Sequence, residues 1–344
     1  MHTCYDPLSI YSSNGKGAYI FGCAGTKLTH NEKTFYRQAD PFGFILFARN
    51  IDSKDQIRAL TDDLRSAIGW NAPIFIDQEG GQVQRLNAPL VKEWPTPLDH
   101  VRQAGDRAQE IIFARYAVIA QELRHLGITA NCIPTADIAR DSTHPFLKNR
   151  CFGQSAEIVS QMAKAAAEGL LEGNVLPVMK HMPGHGLAEI DSHLAAPHTN
   201  ASLAMLEDVD FKPFRALNQL LMGMTAHVVY EAIDSERPGT ISPAVHNLIR
   251  KSIGFDGLLM SDDLSMMALG GDVKSRASAV ITAGCDLALH CNGKLDEMHS
   301  VTEAVGQMGP KSRERATKVI HLHNEVSQRE VDISRFTAQL DIIP

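Results

Sequence analysis

No block of lysine or arginine occurs anywhere in these 344 residues, and the formal charge is −7. A chain without a basic patch has no footprint for tracking nucleic-acid phosphates. Long hydrophobic runs are missing too: no segment is apolar for the roughly 20 residues that a membrane span requires. Met1 to Gly15 carry neither a basic start nor a continuous apolar core. No secretory leader is therefore expected, and a cytoplasmic location follows as the default. Cysteine is sparse and unpatterned. Cys4, Cys23, Cys132, Cys151, Cys285 and Cys291 form no CxxC pair and no zinc-ribbon spacing. Several sit in apolar runs, where a free thiol acts as a small hydrophobe, so they read as reduced and structural. There is no low-complexity segment and no repeat of solenoid period.

What is present is an ordinary globular composition, 44% apolar and 21% charged, with room for one large α/β domain or two smaller ones. Eight short β-rich runs recur: Ala18–Gly22, Phe42–Phe47, Ala72–Asp77, Ile128–Ile133, Val175–Met179, Met222–Ala226, Gly257–Met260 and Leu287–His290. Most are continuously apolar rather than alternating, as strands of a parallel sheet covered on both faces should be. Amphipathic segments separate them. One opens on the N-cap candidate Ser53 and closes at Gly69. Asp106–Leu126, Gln154–Glu172 and Asp272–Ala283 follow the same scheme, the last two meeting Gly173 and Gly284.

Eight strand–helix alternations without a break in composition predict an α/β protein built as a single (β/α)8 TIM barrel. A doubly wound open sheet is the alternative, but no GxGxxG follows the first strand. The expected organisation is an N-terminal extension over 1–16, a catalytic barrel over 17–309, and a C-terminal helix and tail over 310–344 packed on the barrel. Within that last part, Lys311–Arg329 reads as a final outer helix with a loose tail after it.

A barrel of this kind gathers its active site at the C-terminal ends of the strands, and polar residues collect at those positions here. Strand three ends in Asp77-Gln-Glu79-Gly-Gly-Gln-Val-Gln-Arg85, strand five in Lys180-His181, strand six in His227, and strand seven in Ser261-Asp262-Asp263. Strand eight ends in His290 and Asn292, and strand four leads to Asp137 and on to Arg150. Any one of these has a structural explanation. Asp263 can cap a helix starting at Leu264, and Glu79 can brace the turn at Gly80-Gly81. Together they describe a pocket of many donors and acceptors, suited to a polyhydroxylated ligand. After Lys180-His181, the glycines of Pro183-Gly-His-Gly186 open a loop carrying Asp191-Ser-His193. A histidine there, oriented by a neighbouring carboxylate, can serve as a proton donor above a rigid pocket. One carboxylate nucleophile plus one acid/base is the minimal kit of a retaining glycosidase.

Lys180-His-Met-Pro-Gly-His-Gly186, Asp191-Ser-His193, Asp77–Arg85 and Ser261-Asp-Asp-Leu-Ser-Met266 closely resemble the bacterial β-N-acetylglucosaminidases of glycoside hydrolase family 3, cytosolic single-barrel enzymes of peptidoglycan recycling. The resemblance runs from roughly residue 17 to 300. It implies Asp262 as nucleophile and His193 as acid/base with Asp191 as its partner. It also implies Asp77, Arg85, Arg150, Lys180 and His181 as sugar-binding residues. The expected substrate is a GlcNAc-containing muropeptide, with no cofactor, metal, nucleic acid or membrane. Two positions depart from the pattern: Met182 stands where Phe is usual, and Gln82 where Arg is common.

Other readings of the same residues are substrate-assisted hydrolysis through the acetamido oxygen, with Asp262 and Asp263 in support, and phosphorolysis of the same sugar. A metal-dependent barrel hydrolase is more remote. The first strand has no His-x-His, no HExxH occurs, and the fifteen histidines show no evident ligand spacing. A non-catalytic sugar-binding barrel would be expected to lack the carboxylate or the histidine that this chain has.

Overall fold

The structure is a computed structural model and describes residues 17–188, 196–327 and 329–340. Its centre is a parallel barrel. In chain order the strands are β1 (Gly17–Gly22), β2 (Pro41–Leu46), β3 (Ile74–Ile76), β4 (Ala130–Asn131), β5 (Leu176–Pro177, resuming as Met179–Met182), β6 (Met222–Thr225), β7 (Leu258–Asp263) and β8 (Leu287–His290). Each pairs with its sequence neighbours, and β1 pairs with β8 (Tyr19 opposite Ala288) to close the ring. The two pieces of β5 divide its pairing, the first going to β4 and the second to β6. Closure leaves no edge strand to protect.

Helices follow the strands: α1 (His30–Ala39), α2 (Lys54–Ile68), α3 (Ala108–Arg124), α4 (Ala156–Glu172), α5 (Lys212–Ala216), α6 (Pro243–Leu248), α7 (Val273–Ala283) and α8 (Leu295–Val305). Their ends are set by local chemistry. Ser53 accepts the N–H of Gln56, and Gly69 takes the left-handed conformation beyond α2. Ser155 caps α4, and Asp272 caps α7. Each such cap contributes about 1 kcal/mol.

The apolar strands form two layers. Ile20, Phe42, Phe75, Val178, Met222, Met260 and Leu287 meet inside the barrel, while Phe21, Phe44, Leu46, Ile74, Ile76 and Leu259 point out beneath the helices. This double burial is why the strands read as continuous apolar runs.

The final helix, α9 (Pro310–Ser327), does not join the outer ring. It crosses the N-terminal mouth of the barrel, where Ala316, Val319, Ile320 and Val326 join the interior cluster. Arg315 ties it to Asp256 and Asp286, just ahead of β7 and β8. An open mouth would leave interior apolar side chains wet, and α9 covers them. The chain beyond it is ordered by the same force. Ser334–Leu340 is helical, and its buried Phe336 packs edge-on against Phe113 of α3. The bottom is plugged; the top is left to polar residues.

Candidate active site

The top of β3, the loop after β4 and the end of β5 meet in a cluster of five charges. Lys180 Nζ lies 2.8 Å from Asp77 Oδ1 and 2.6 Å from Glu79 Oε1. Arg150 grips Glu79 with two parallel bonds, Nε to Oε2 at 2.9 Å and Nη2 to Oε1 at 2.8 Å. Arg85 Nη2 reaches Asp77 Oδ2 at 3.1 Å. Asp77 and Glu79 are two residues apart on extended chain, so both carboxylates project to one side. Gly80, at φ 106°, then turns the chain where a Cβ would run into the Arg115 guanidinium. Arg115 and Tyr116 hold the Glu79 carbonyl from beneath.

Burial pushes both carboxyls up, and the surrounding Lys180 and arginines more than offset it, holding Asp77 and Glu79 below the usual carboxylate range. Burial likewise opposes the charge on Lys180, and the two carboxylates overcome it and hold the ammonium above its ordinary value. Asp77, Glu79 and Lys180 are therefore ionised at neutral pH, and the cluster sets three cations on two carboxylates, an excess of one positive charge. Buried ions of this kind must be matched, because removing one partner costs about 3–5 kcal/mol.

His181 is oriented by a carboxylate of its own. Its Nδ1 lies 2.7 Å from Asp137 Oδ2, while Asp137 Oδ1 accepts the His185 backbone N–H at 2.7 Å. Asp137 is fully buried, and the His181 and His185 groups hold it below its usual range against the effect of burial. With Nδ1 turned to Asp137, Nε2 of His181 is left for the pocket. Just before His185 the chain is pinned again: Tyr230 donates its hydroxyl to Gly184 O at 2.6 Å. Tyr230 also belongs to the two-residue strand Val229–Tyr230, which pairs with His198–Thr199. One residue thus ties the chain on both sides of 189–195. Asp191 and His193 lie outside the described residues.

Strand β7 runs on to Asp263, placing Asp262 at the rim of the barrel interior. Asp262 Oδ1 accepts the N–H of Asp263 at 2.8 Å. Burial raises its carboxyl, and the His227 and His181 rings, the Asp263 N–H and Lys180 bring it below the ordinary value. The result is an ionised carboxylate with one oxygen held. Asp263 acts as a brace: its Oδ1 accepts the N–H groups of Ser265 (3.0 Å) and Cys291 (3.1 Å). The helix expected from Leu264 does not form. Leu264 N–H goes to Leu289 O, and Arg276 takes the Leu264 and Met266 carbonyls, so turns follow instead.

A cavity of about 170 Å³ joins these parts, room for a single ring rather than a chain. Asp77, Arg85, Arg150, Lys180, His181 and Asp262 line it, with Asp263, Phe47, Phe146 and Met266 and a floor of Ile45, Met224 and Leu289. Six of the eight residues singled out from the sequence thus face one space. His290 and Asn292 do not line it; both bond to Glu297 Oε2. Met182 is fully buried at the end of β5. Gln82 does not line the cavity and donates to the Phe146 carbonyl at 2.8 Å. Glu79, Asp137 and His227 are the organising residues that motif reading left out of the site. The two-residue spacing of Asp77 and Glu79 was the available signal for the first. Among the described residues, no three His, Cys, Asp or Glu side chains are placed to hold a metal ion. The five described cysteines are unpaired and buried.

An ionised carboxylate facing a ring-sized, polar pocket at the C-terminal end of a parallel barrel defines a TIM-barrel enzyme of the glycoside-hydrolase class. Comparison with known proteins agrees. The family model described as "Glycosyl hydrolase family 3 N terminal domain" matches residues 22–322. A β-hexosaminidase of Bordetella avium is 34% identical over 287 residues, covering 80% of this chain and 81% of the relative. One from Idiomarina loihiensis is 31% identical, covering 90% and 94%. Among solved structures, NagZ from Neisseria gonorrhoeae in complex with N-trifluoroacetyl-D-glucosamine superposes with a TM-score of 0.83 at 28% identity, covering 96% of this chain and 98% of that one. The chain belongs to glycosyl hydrolase family 3, and within it sides with the β-hexosaminidases.

Proposed function

We propose that the protein is a retaining exo-β-N-acetylglucosaminidase that works through a covalent ester on Asp262. The observation that carries this reading is the Asp262 carboxylate itself: ionised, lining the cavity, one oxygen held by the Asp263 N–H and the other with no bonding partner among the described residues. Asp77, Arg85, Arg150, Lys180 and His181 grip the terminal sugar. Asp262 attacks the anomeric carbon, and the bond to the leaving oxygen breaks as His193 delivers a proton to it. His193, now neutral, then takes a proton from water, which displaces Asp262 and releases the sugar with its original configuration. Asp191 orients the His193 ring, and proton transfer of this kind supplies about 10²–10⁴-fold. These two roles rest on the motif Asp191-Ser-His193.

The sugar is N-acetylglucosamine, and the proposed natural substrate is a GlcNAc-1,6-anhydro-MurNAc muropeptide met in the cytoplasm during cell-wall recycling. The likeness to the β-hexosaminidases and to a structure holding an N-acylglucosamine supports the sugar. No helix among the described residues is long and apolar enough to cross a membrane. Substrate-assisted hydrolysis is disfavoured by Asp263, whose carboxylate braces two backbone N–H groups.

Release of nitrophenol from 4-nitrophenyl β-N-acetylglucosaminide, but not from the glucoside, tests the sugar. A thiazoline mimic of a cyclised acetamido intermediate should inhibit no better than N-acetylglucosamine. Strong thiazoline inhibition would move the chemistry to the acetamido group.

A further inference from the structure

His227 has no part in the mechanism above, yet it is fully buried and bonded at both ring nitrogens. It stands at the end of β6, behind the wall of the cavity rather than in it. Its Nε2 lies 3.0 Å from the Asp263 carbonyl oxygen, which can only accept, so Nε2 carries the proton. Its Nδ1 lies 2.7 Å from Thr240 Oγ1, whose hydroxyl also lies 3.0 Å from the Ala226 carbonyl oxygen. Thr225 Oγ1 lies 2.9 Å from the same Thr240 oxygen and completes a buried chain of polar side chains. Burial pushes the imidazole below its usual range, against the pull of the Asp262 carboxylate.

The residue at the end of this chain is the one that holds the nucleophile. Asp263 is fixed at its N–H by Asp262 Oδ1, at its carboxylate by Ser265 and Cys291, and at its carbonyl by His227. We infer that His227 is a positioning residue: through Asp263 it sets the angle at which the free oxygen of Asp262 faces the anomeric carbon. This rests on the reading of Asp262 as nucleophile. A displacement of about 1 Å at a reacting atom costs on the order of 10²-fold, so a buried bond two steps away can matter as much as a direct contact.

Amide isosteres separate the two bonds. Gln places its amide nitrogen near the position of imidazole Nε2, and Asn near that of Nδ1. His227→Gln keeps a donor for the Asp263 carbonyl; His227→Asn keeps only the Thr240 side. The readout is the rate at which a 5-fluoro N-acetylglucosaminyl fluoride forms a stable ester on Asp262, followed by intact mass and peptide mapping. Labelling should slow about 10²-fold in His227→Asn and His227→Phe, and roughly fivefold or less in His227→Gln. Affinity for N-acetylglucosamine should stay within about twofold in all three. Equal labelling rates in wild type and folded His227→Phe, or equal losses in the Gln and Asn variants at matched thermal stability, would overturn the positioning role. Wild type that takes no label on Asp262 would instead overturn the nucleophile and the premise with it.

Discussion

The two sides of the sugar pocket are built on opposite electrostatic plans. On the β3–β5 side, three cations lie on two carboxylates, each ion within 3.1 Å of a partner. On the β6–β7 side, Asp262 and Asp263 have no cation at bonding distance among the described residues; their partners are backbone N–H groups and, beyond them, the His227 ring. A matched ion cluster is rigid and inert, good for holding hydroxyl groups in fixed places. A carboxylate held by one N–H keeps its charge and one free oxygen, which is what attack on carbon needs. The excess positive charge of the first side faces the carboxylates of the second, and the cavity lies between them.

This contrast predicts unequal consequences. Removing the reactive side should be worst: Asp262→Ala should lower kcat by on the order of 10³-fold or more, with thermal stability kept within a few degrees. Breaking the matched side should act on stability first. Glu79→Gln leaves Arg150 and Lys180 short of a buried counter-charge, at a cost of about 3–5 kcal/mol readable by denaturant unfolding. KM should rise with it as Lys180 and Arg150 lose their places, whereas a kcat loss without a stability loss would put Glu79 in the chemistry.

A third expectation concerns pH. Burial lowers His100 and His185 to about 4 and His323 to about 3. The unfolded chain, with ordinary histidines near 6.5, binds protons first as the pH falls. Their stabilisation is therefore complete above about pH 6.5 and is lost progressively between there and about pH 4, or about pH 3 for His323. His323 has no bonding partner at either ring nitrogen among the described residues. His323→Leu should raise Tm near pH 5 more than at pH 8; an equal gain at both values would refute the linkage. The smallest effect belongs to Gln82, exposed and bonded to one carbonyl. Gln82→Ala should change stability by about 0.5 kcal/mol or less and kcat/KM by under twofold. A larger loss would bring position 82 into substrate recognition.

The barrel was legible in the sequence because strands buried on both faces leave unbroken apolar runs, and because Ser53, Gly69, Ser155 and Asp272 mark helix ends by ordinary capping chemistry. Strand-end positions then located the polar residues of the cavity without any knowledge of distances. Partnership was less legible. Glu79 resembled a turn brace because its partners, Lys180 and Arg150, are about 100 and 70 residues away along the chain. Asp263 resembled a helix cap because its second N–H partner, Cys291, comes from just beyond β8. His227 was legible only as the polar residue that ends strand six; the identity of the carbonyl it holds gives it wider meaning. Pattern along one strand shows which residues arrive at the rim. Which of them pair is decided across strands, where one sequence carries little signal.

The central claim is that the free oxygen of Asp262 forms the bond to sugar, and azide offers the most direct test. In Asp262→Ala, with 4-nitrophenyl β-N-acetylglucosaminide as substrate, azide should enter the space of the missing carboxylate and restore nitrophenol release. The product should then be the α-glycosyl azide, inverted because azide replaces the first of two displacements. A β-glycosyl azide, or hydrolysis that persists in the variant without azide, would contradict the account.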